Sequence, residues 1–195
     1  MNNAKRLIND FVDEKLQGNL PELPHFNFAL LRGDRKYGAR NGGSFDCDNT
    51  NLSKAIYLLV FEGVWNNMTP KSLEDGTYRG DTINTFNTAF GRPIAKGEFA
   101  AINRFKPDHR LQQRIMQFHS SYHTIGNFMV LPNARAGRHT LNTFRGTFPQ
   151  WRDYIDKFVG ALHQQLTEPQ RGDSELFQQL VAANIKDFEP YRHQE

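Results

Sequence analysis

Apolar residues recur along most of this chain at helical spacing. Leu7, Ile8, Phe11, Val12 and Leu16 place one apolar stripe on a helix over residues 3–17, because positions three and four apart share a helix face. Gly18-Asn19, followed by Pro21 and Pro24, predicts the stop. Leu52, Ala55, Ile56, Leu59, Val60 and Val64 repeat the pattern and predict a second helix over 51–67, capped by Asn49, Thr50 or Asn51. Leu111, Ile115, Phe118 and Tyr122 predict a helix over 108–122. Trp151, Tyr154, Ile155, Phe158, Val159 and Leu162 predict one over 149–166, with Pro149 in its first turn. Leu176, Phe177, Leu180, Val181 and Phe188 predict a last helix over 174–188, capped by Asp173 or Ser174.

Between these elements the pattern changes. Residues 18–50 have no period and read as an irregular surface segment. Gly33, Gly38, Gly42 and Gly43 are scattered there among Arg32, Arg35, Lys36 and Arg40. Backbone N–H groups and cations of this kind can bind phosphate, but no P-loop or dinucleotide spacing occurs. Thr69 to Ser72 reads as a connection, and residues 96–106 as another with a helical turn at Glu98 to Asn103. Phe128 to Leu131 are consecutive apolar residues, too few for a helix, and predict a short extended piece before Pro132. The segment 189–195 reads as a frayed tail. The expected fold is mainly α: one domain over 1–195 of about six helices with long loops and at most a minor strand pair.

Composition narrows the function class. Sixteen Phe against four Met point to a core of aromatic rings. The net charge of +3, with no long Lys/Arg run, permits nucleic-acid binding without arguing for it. The single cysteine, Cys47, excludes a disulfide framework or a zinc ribbon within the chain and reads as an ordinary thiol. Residues 1–10 are charged and lack an apolar signal core, and no stretch is apolar enough to span a bilayer. The expectation is a cytoplasmic protein with no membrane partner.

Two polar stretches are candidates for chemistry. In the first, Asp81 reads as the N-cap of a short helix that Gly91 and Pro93 end, with Ile83, Phe86 and Phe90 on its apolar face. Asp81, Asn84, Thr85 and Thr88 fall on another face. Thr and Asn are poor helix formers, so that face reads either as the wall of a ligand pocket or as a hydrogen-bonded structural surface. The second runs from His119 to Asn133. His119 and His123 share a helix face, a spacing that metal ligands use, with Asp81 or His139 available as a third ligand. The glutamate of the helical metalloprotease motif is missing. A neutral His123 at the helix end could act as general base, with Asn127 polarising a ligand oxygen. The alternative is that His123 and Asn127 satisfy loop backbone groups. No Gly-x-Ser-x-Gly elbow occurs.

Two resemblances rest on these stretches. Asp81, Thr82, Asn84, Phe86, Phe90 and Gly91, with His123 to Pro132, resemble a group of uncharacterised bacterial proteins carrying "GDT-N-F-T-FG" and "YHTIGNF-LP" segments. Gly126, Asn127, Phe128, Val130, Leu131, Asn133 and Asn142 resemble the C-terminal half of the HNH nuclease signature. That family sets an acidic-His pair upstream, and here the one such pair is Asp108-His109. The second resemblance implies a divalent-metal nuclease using His123 or His109 with Asn127 and Asn142. Three functions therefore stay open. One is a polar pocket for a small ligand or partner, built from Asp81, Asn84, Thr88, His119, His123 and Asn127. Another is a divergent HNH-type nuclease. The third is a structural or interaction domain without a catalytic site.

Overall fold

The computed structural model describes residues 2–38, 45–61, 64–65, 67–83, 109–145, 155–169 and 174–189, except the side chains of residues 109, 111, 112 and 155. Among these residues the architecture is mainly helical with one two-stranded antiparallel sheet, as the periodicity predicts. Among the described residues no helix is long and apolar enough to cross a membrane.

Helix α1 (Asn2–Leu16) buries Ala4, Ile8, Phe11 and Val12 along one stripe. It ends where Gln17 and Gly18 adopt positive φ and the Gly18 N–H reaches back to the Val12 carbonyl at 3.0 Å, a closure that satisfies a carbonyl the last turn leaves free. Helix α2 (Asn51–Val60) is capped by Thr50, which accepts from the Ser53 N–H. It stops well short of the predicted residue 67. Gly63, Asn66 and Asn67 are weak helix formers, and Trp65 turns back to pack on Tyr78 and Phe188, with ring centroids 6.3 and 5.7 Å away.

The segment 18–50 is not a solvated surface loop. It carries 3-10 turns at Leu20–His25, Phe28–Leu31 and Cys47–Asn49, and it sends Phe28, Leu31 and Tyr37 into the core. Its aromatic anchors are spaced too irregularly to show as a period. Lys36 is tied to Asp10 and Glu14, and Lys15 to Asp34. Arg40, Gly42 and Gly43 lie outside the described residues. The connection after α2 holds a short helix, α3 (Pro70–Glu74), set by a reciprocal Thr69–Ser72 capping box.

Strand β1 (Tyr78–Thr82) pairs antiparallel with β2 (Phe128–Pro132), in the register Tyr78↔Pro132 to Thr82↔Phe128. Asp81 therefore lies inside a strand and does not cap a helix. Alternating burial along β1 shows why: the chain there has period two. The predicted helix beyond Ile83, with Asn84, Thr85 and Thr88, lies outside the described residues, as do residues 96–106.

Helix α4 (His109–Tyr122) buries Ile115 and Phe118, as predicted. Helix α5 (Leu141–Arg145) starts from a second reciprocal cap, between Thr140 and Thr143. Helix α6 (Ile155–Thr167) matches the predicted element from residue 155 onward; residues 149–154 lie outside the described set. The predicted helix over 174–188 is two helices, α7 (Glu175–Ala183) and α8 (Ile185–Phe188), and Ser174 caps the first. The break is at Asn184, whose side chain accepts from the Ala134 N–H at 2.8 Å and donates to the Ala134 and Leu180 carbonyls. Of the expected frayed tail only Glu189 is described.

The sheet is a partition. Tyr78, Phe128 and Val130 join a core built on α1, α2 and α3, whereas Met129 and Leu131 join a core built on α5, α6, α7 and α8. Successive strand residues face opposite sides, so β2 is buried on both faces. Trp65 packs against both cores.

Candidate functional site

The polar centre of the molecule is β1. On one side the turn Cys47–Asn49 lies so close to Gly80 that a Cβ there would collide with the Asp48 carbonyl oxygen and the Tyr57 hydroxyl. Only glycine permits this approach. Asn49 then reads the Gly80 peptide on both sides: its Oδ1 accepts from the Gly80 N–H at 2.9 Å, and its Nδ2 donates to the Gly80 carbonyl at 3.1 Å. The same Nδ2 is shared with Asp46 Oδ2 and Asp48 Oδ1, both at 2.9 Å. The Tyr57 hydroxyl donates to the Asp48 carbonyl at 2.6 Å.

Asp46 and Asp48 form an unequal pair. Burial, followed by the Asp46 carboxylate, pushes Asp48 up to about 9. Burial also pushes Asp46 upward, but hydrogen bonds from Asp48, Arg79 and Asn49 outweigh it and hold Asp46 below its ordinary value. Asp48 is thus the member of the pair that favours its protonated form, and Asp46 the one that favours the carboxylate facing Arg79 at 3.2 Å.

On the opposite face of β1, Asp81 accepts from Nη2 of Arg145, the last residue of α5. Arg145 is only 3% exposed. Its Nη2 also lies 3.5 Å from the Thr82 carbonyl and from Asn142 Oδ1. Nε and Nη1 are buried and take no acceptor among the described residues. Burial pushes the Asp81 carboxyl up, and the guanidinium beside it opposes that shift.

The turn after α4 adjoins the end of β1. The Ile83 N–H donates to the Asn127 carbonyl at 2.8 Å, so the segments around Asp81 and His123 do meet in space. His123 is half-buried, with its ring 4.3 Å from that of Tyr122. Its carbonyl accepts from the Phe28 N–H at 2.9 Å. Its Nδ1 is buried without a hydrogen bond among the described residues. Burial first, and then His119, lower its pKa and so favour the neutral imidazole. His119 is exposed on α4. Asn127 donates from Nδ2 to the Tyr122 carbonyl at 2.8 Å, and Asn133 to the Gly76 carbonyl at 2.9 Å. His139 accepts from Arg138 at 3.2 Å. Among the described residues no three His, Cys, Asp or Glu side chains stand together as metal ligands would. Asn84, Thr88 and Asp108 lie outside the described set, as does the side chain of His109.

Sequence reading did not single out Asp46, Asp48, Asn49 or Arg145 as functional residues, and offered Asn49 only as a candidate helix cap. The first three had a signal, a dense acid and amide run directly before a helix. Arg145 had none, because its partner Asp81 lies far away in the chain. Compared with family models, curated proteins and solved structures, the chain matches none. The chemistry of the site rests on its own residues.

Proposed function

We propose that this chain is a helical binding domain. It takes a small ligand, or a partner segment, with acceptor oxygens at the end of β1, between Asp81, Arg145 and the adjoining His123–Asn127 turn. One observation carries the reading. Arg145 is a buried charge with five N–H donors, and among the described residues only Nη2 finds acceptors. A buried charge is costly unless its donors are filled. Carboxylate or phosphate oxygens match a guanidinium fork, and Asp81 holds that fork in one orientation. Neutral His123 adds a further polar group beside the same strand end.

Thermal unfolding of wild type and Arg145→Lys, with dicarboxylates and organic phosphates as probes, tests this reading. Binding raises the midpoint by mass action. The rise is expected in wild type and is lost in Arg145→Lys, whose ammonium cannot reproduce the fork. If no anion shifts wild type while the variant unfolds earlier, Arg145 is structural.

That outcome would favour the second reading, a structural or interaction domain. Its support is the use made of the amide side chains: Asn49, Asn127, Asn133 and Asn184 each serve a backbone group. The nuclease alternative rests on the resemblance alone. It would use His123 as base with a divalent metal, and its DNA binding would weaken steeply with salt.

A further inference from the structure

We infer that the groove between α1, α2 and α3 is a second binding site, for a small organic anion with an apolar or aromatic body. The groove is open to solvent and offers about 1170 Å³, room for a drug-sized ligand. Its walls follow helical periodicity. Arg6 and Leu7 of α1 line one side, and Asn51, Lys54, Ala55 and Leu58 of α2 line the other, with Leu73 of α3 closing the end.

Charge and polarity are distributed unevenly over these walls. Among the described lining residues Arg6, Lys36 and Lys54 are the cations and Glu74 is the one carboxylate. Lys36 is held in place by Asp10 at 3.1 Å and Glu14 at 2.6 Å, and its carbonyl accepts from Asn51 Nδ2 at 3.2 Å. Arg6 and Lys54 enter no ion pair among the described residues, so their charge is available to a ligand. Ala55 and Leu73 are almost fully buried, so the apolar surface open to a ligand is that of half-buried Leu7 and Leu58. Cations beside half-buried Leu7 and Leu58 suit a molecule whose anionic group meets Arg6 and Lys54 while its body covers those two leucines. A fully hydrated inorganic anion would use only half of these groups, and a neutral apolar molecule only the other half.

Fluorescence titration with anilinonaphthalene sulfonate, and with the uncharged phenyl-naphthylamine that shares its aromatic body, tests this assignment. Wild type is expected to bind the sulfonate more tightly than the neutral probe, with the difference shrinking as salt rises. Arg6→Gln combined with Lys54→Gln removes two surface charges without touching the core. It is expected to weaken the sulfonate about tenfold and to leave the neutral probe unchanged. Equal affinity for the two probes in wild type, or sulfonate binding indifferent to the double variant, would overturn the proposal.

Discussion

Asn49 holds the peptide of Gly80 as a neighbouring strand would, accepting from its N–H at 2.9 Å and donating to its carbonyl at 3.1 Å. One side chain thereby takes the place of a strand on that edge among the described residues. Asn49→Ala strands two backbone groups of a buried residue. Each buried unsatisfied group costs about 1–3 kcal/mol, so denaturant unfolding is expected to show a loss in that range or above. Gly80→Ala is expected to lose at least as much, because the new methyl meets the Asp48 carbonyl and the Tyr57 hydroxyl.

The acid pair beside Asn49 gives the fold a pH dependence. Asp48 is raised from 3.8 to about 9, by burial first and by Asp46 second. Between those values the folded chain holds a proton that the unfolded chain has released. Its contribution is complete in acid and is lost as pH rises through about 9. Asp46 works in the opposite sense, since its folded value is depressed and its contribution is lost in acid. Asp48→Asn keeps the shape and removes the titration. Unfolding free energies measured across this range are expected to fall with pH in wild type and to be flatter in the variant. Equal slopes would show that Asp48 does not hold the proton.

Breaking the Asp81–Arg145 pair is expected to be costly from either side. Removing one partner of a buried pair costs about 3–5 kcal/mol. Arg145→Met leaves Asp81 without its cation, and Asp81→Asn leaves Arg145 without its carboxylate. A double-mutant cycle on unfolding is expected to give a strong coupling between the two, with the double variant less damaged than the sum of the singles.

Asn184 separates α7 from α8 and clamps Ala134 by both its N–H and its carbonyl. Asn184→Ala is expected to cost about 1–3 kcal/mol. It is also expected to speed hydrogen exchange at the Ala134 amide more than at amides of α1. If exchange rises uniformly, the clamp is not local.

Much of the fold could be read from periodicity, and the exceptions are instructive. The stripes of α1 and α4 are regular enough to fix their spans, and the apolar run at Phe128 marks β2. The partner strand was misread because Asp81 is a good helix cap when only its neighbours are considered. Its strand state depends on β2, which lies far along the chain. The same reason hides the Asp81–Arg145 pair. Asn184 looked like one more helical residue, because the carbonyl and N–H that it serves belong to another segment. His119, His123 and Asn127 could be placed on a helix and its exit turn. Whether a polar residue serves a ligand or a backbone group is decided by contacts that spacing does not carry.

Because β2 is buried on both faces, neither half of the chain owns a complete interior. The N-terminal half needs Phe128 and Val130 to finish its core, and the C-terminal half needs Trp65 and Ile83 to finish its own. A chain divided between Ile83 and Phe128 would give two pieces, each with one strand of a two-stranded sheet. Each would expose an unpaired strand edge and an open apolar face until it met the other. Neither core could close until the two pieces came together.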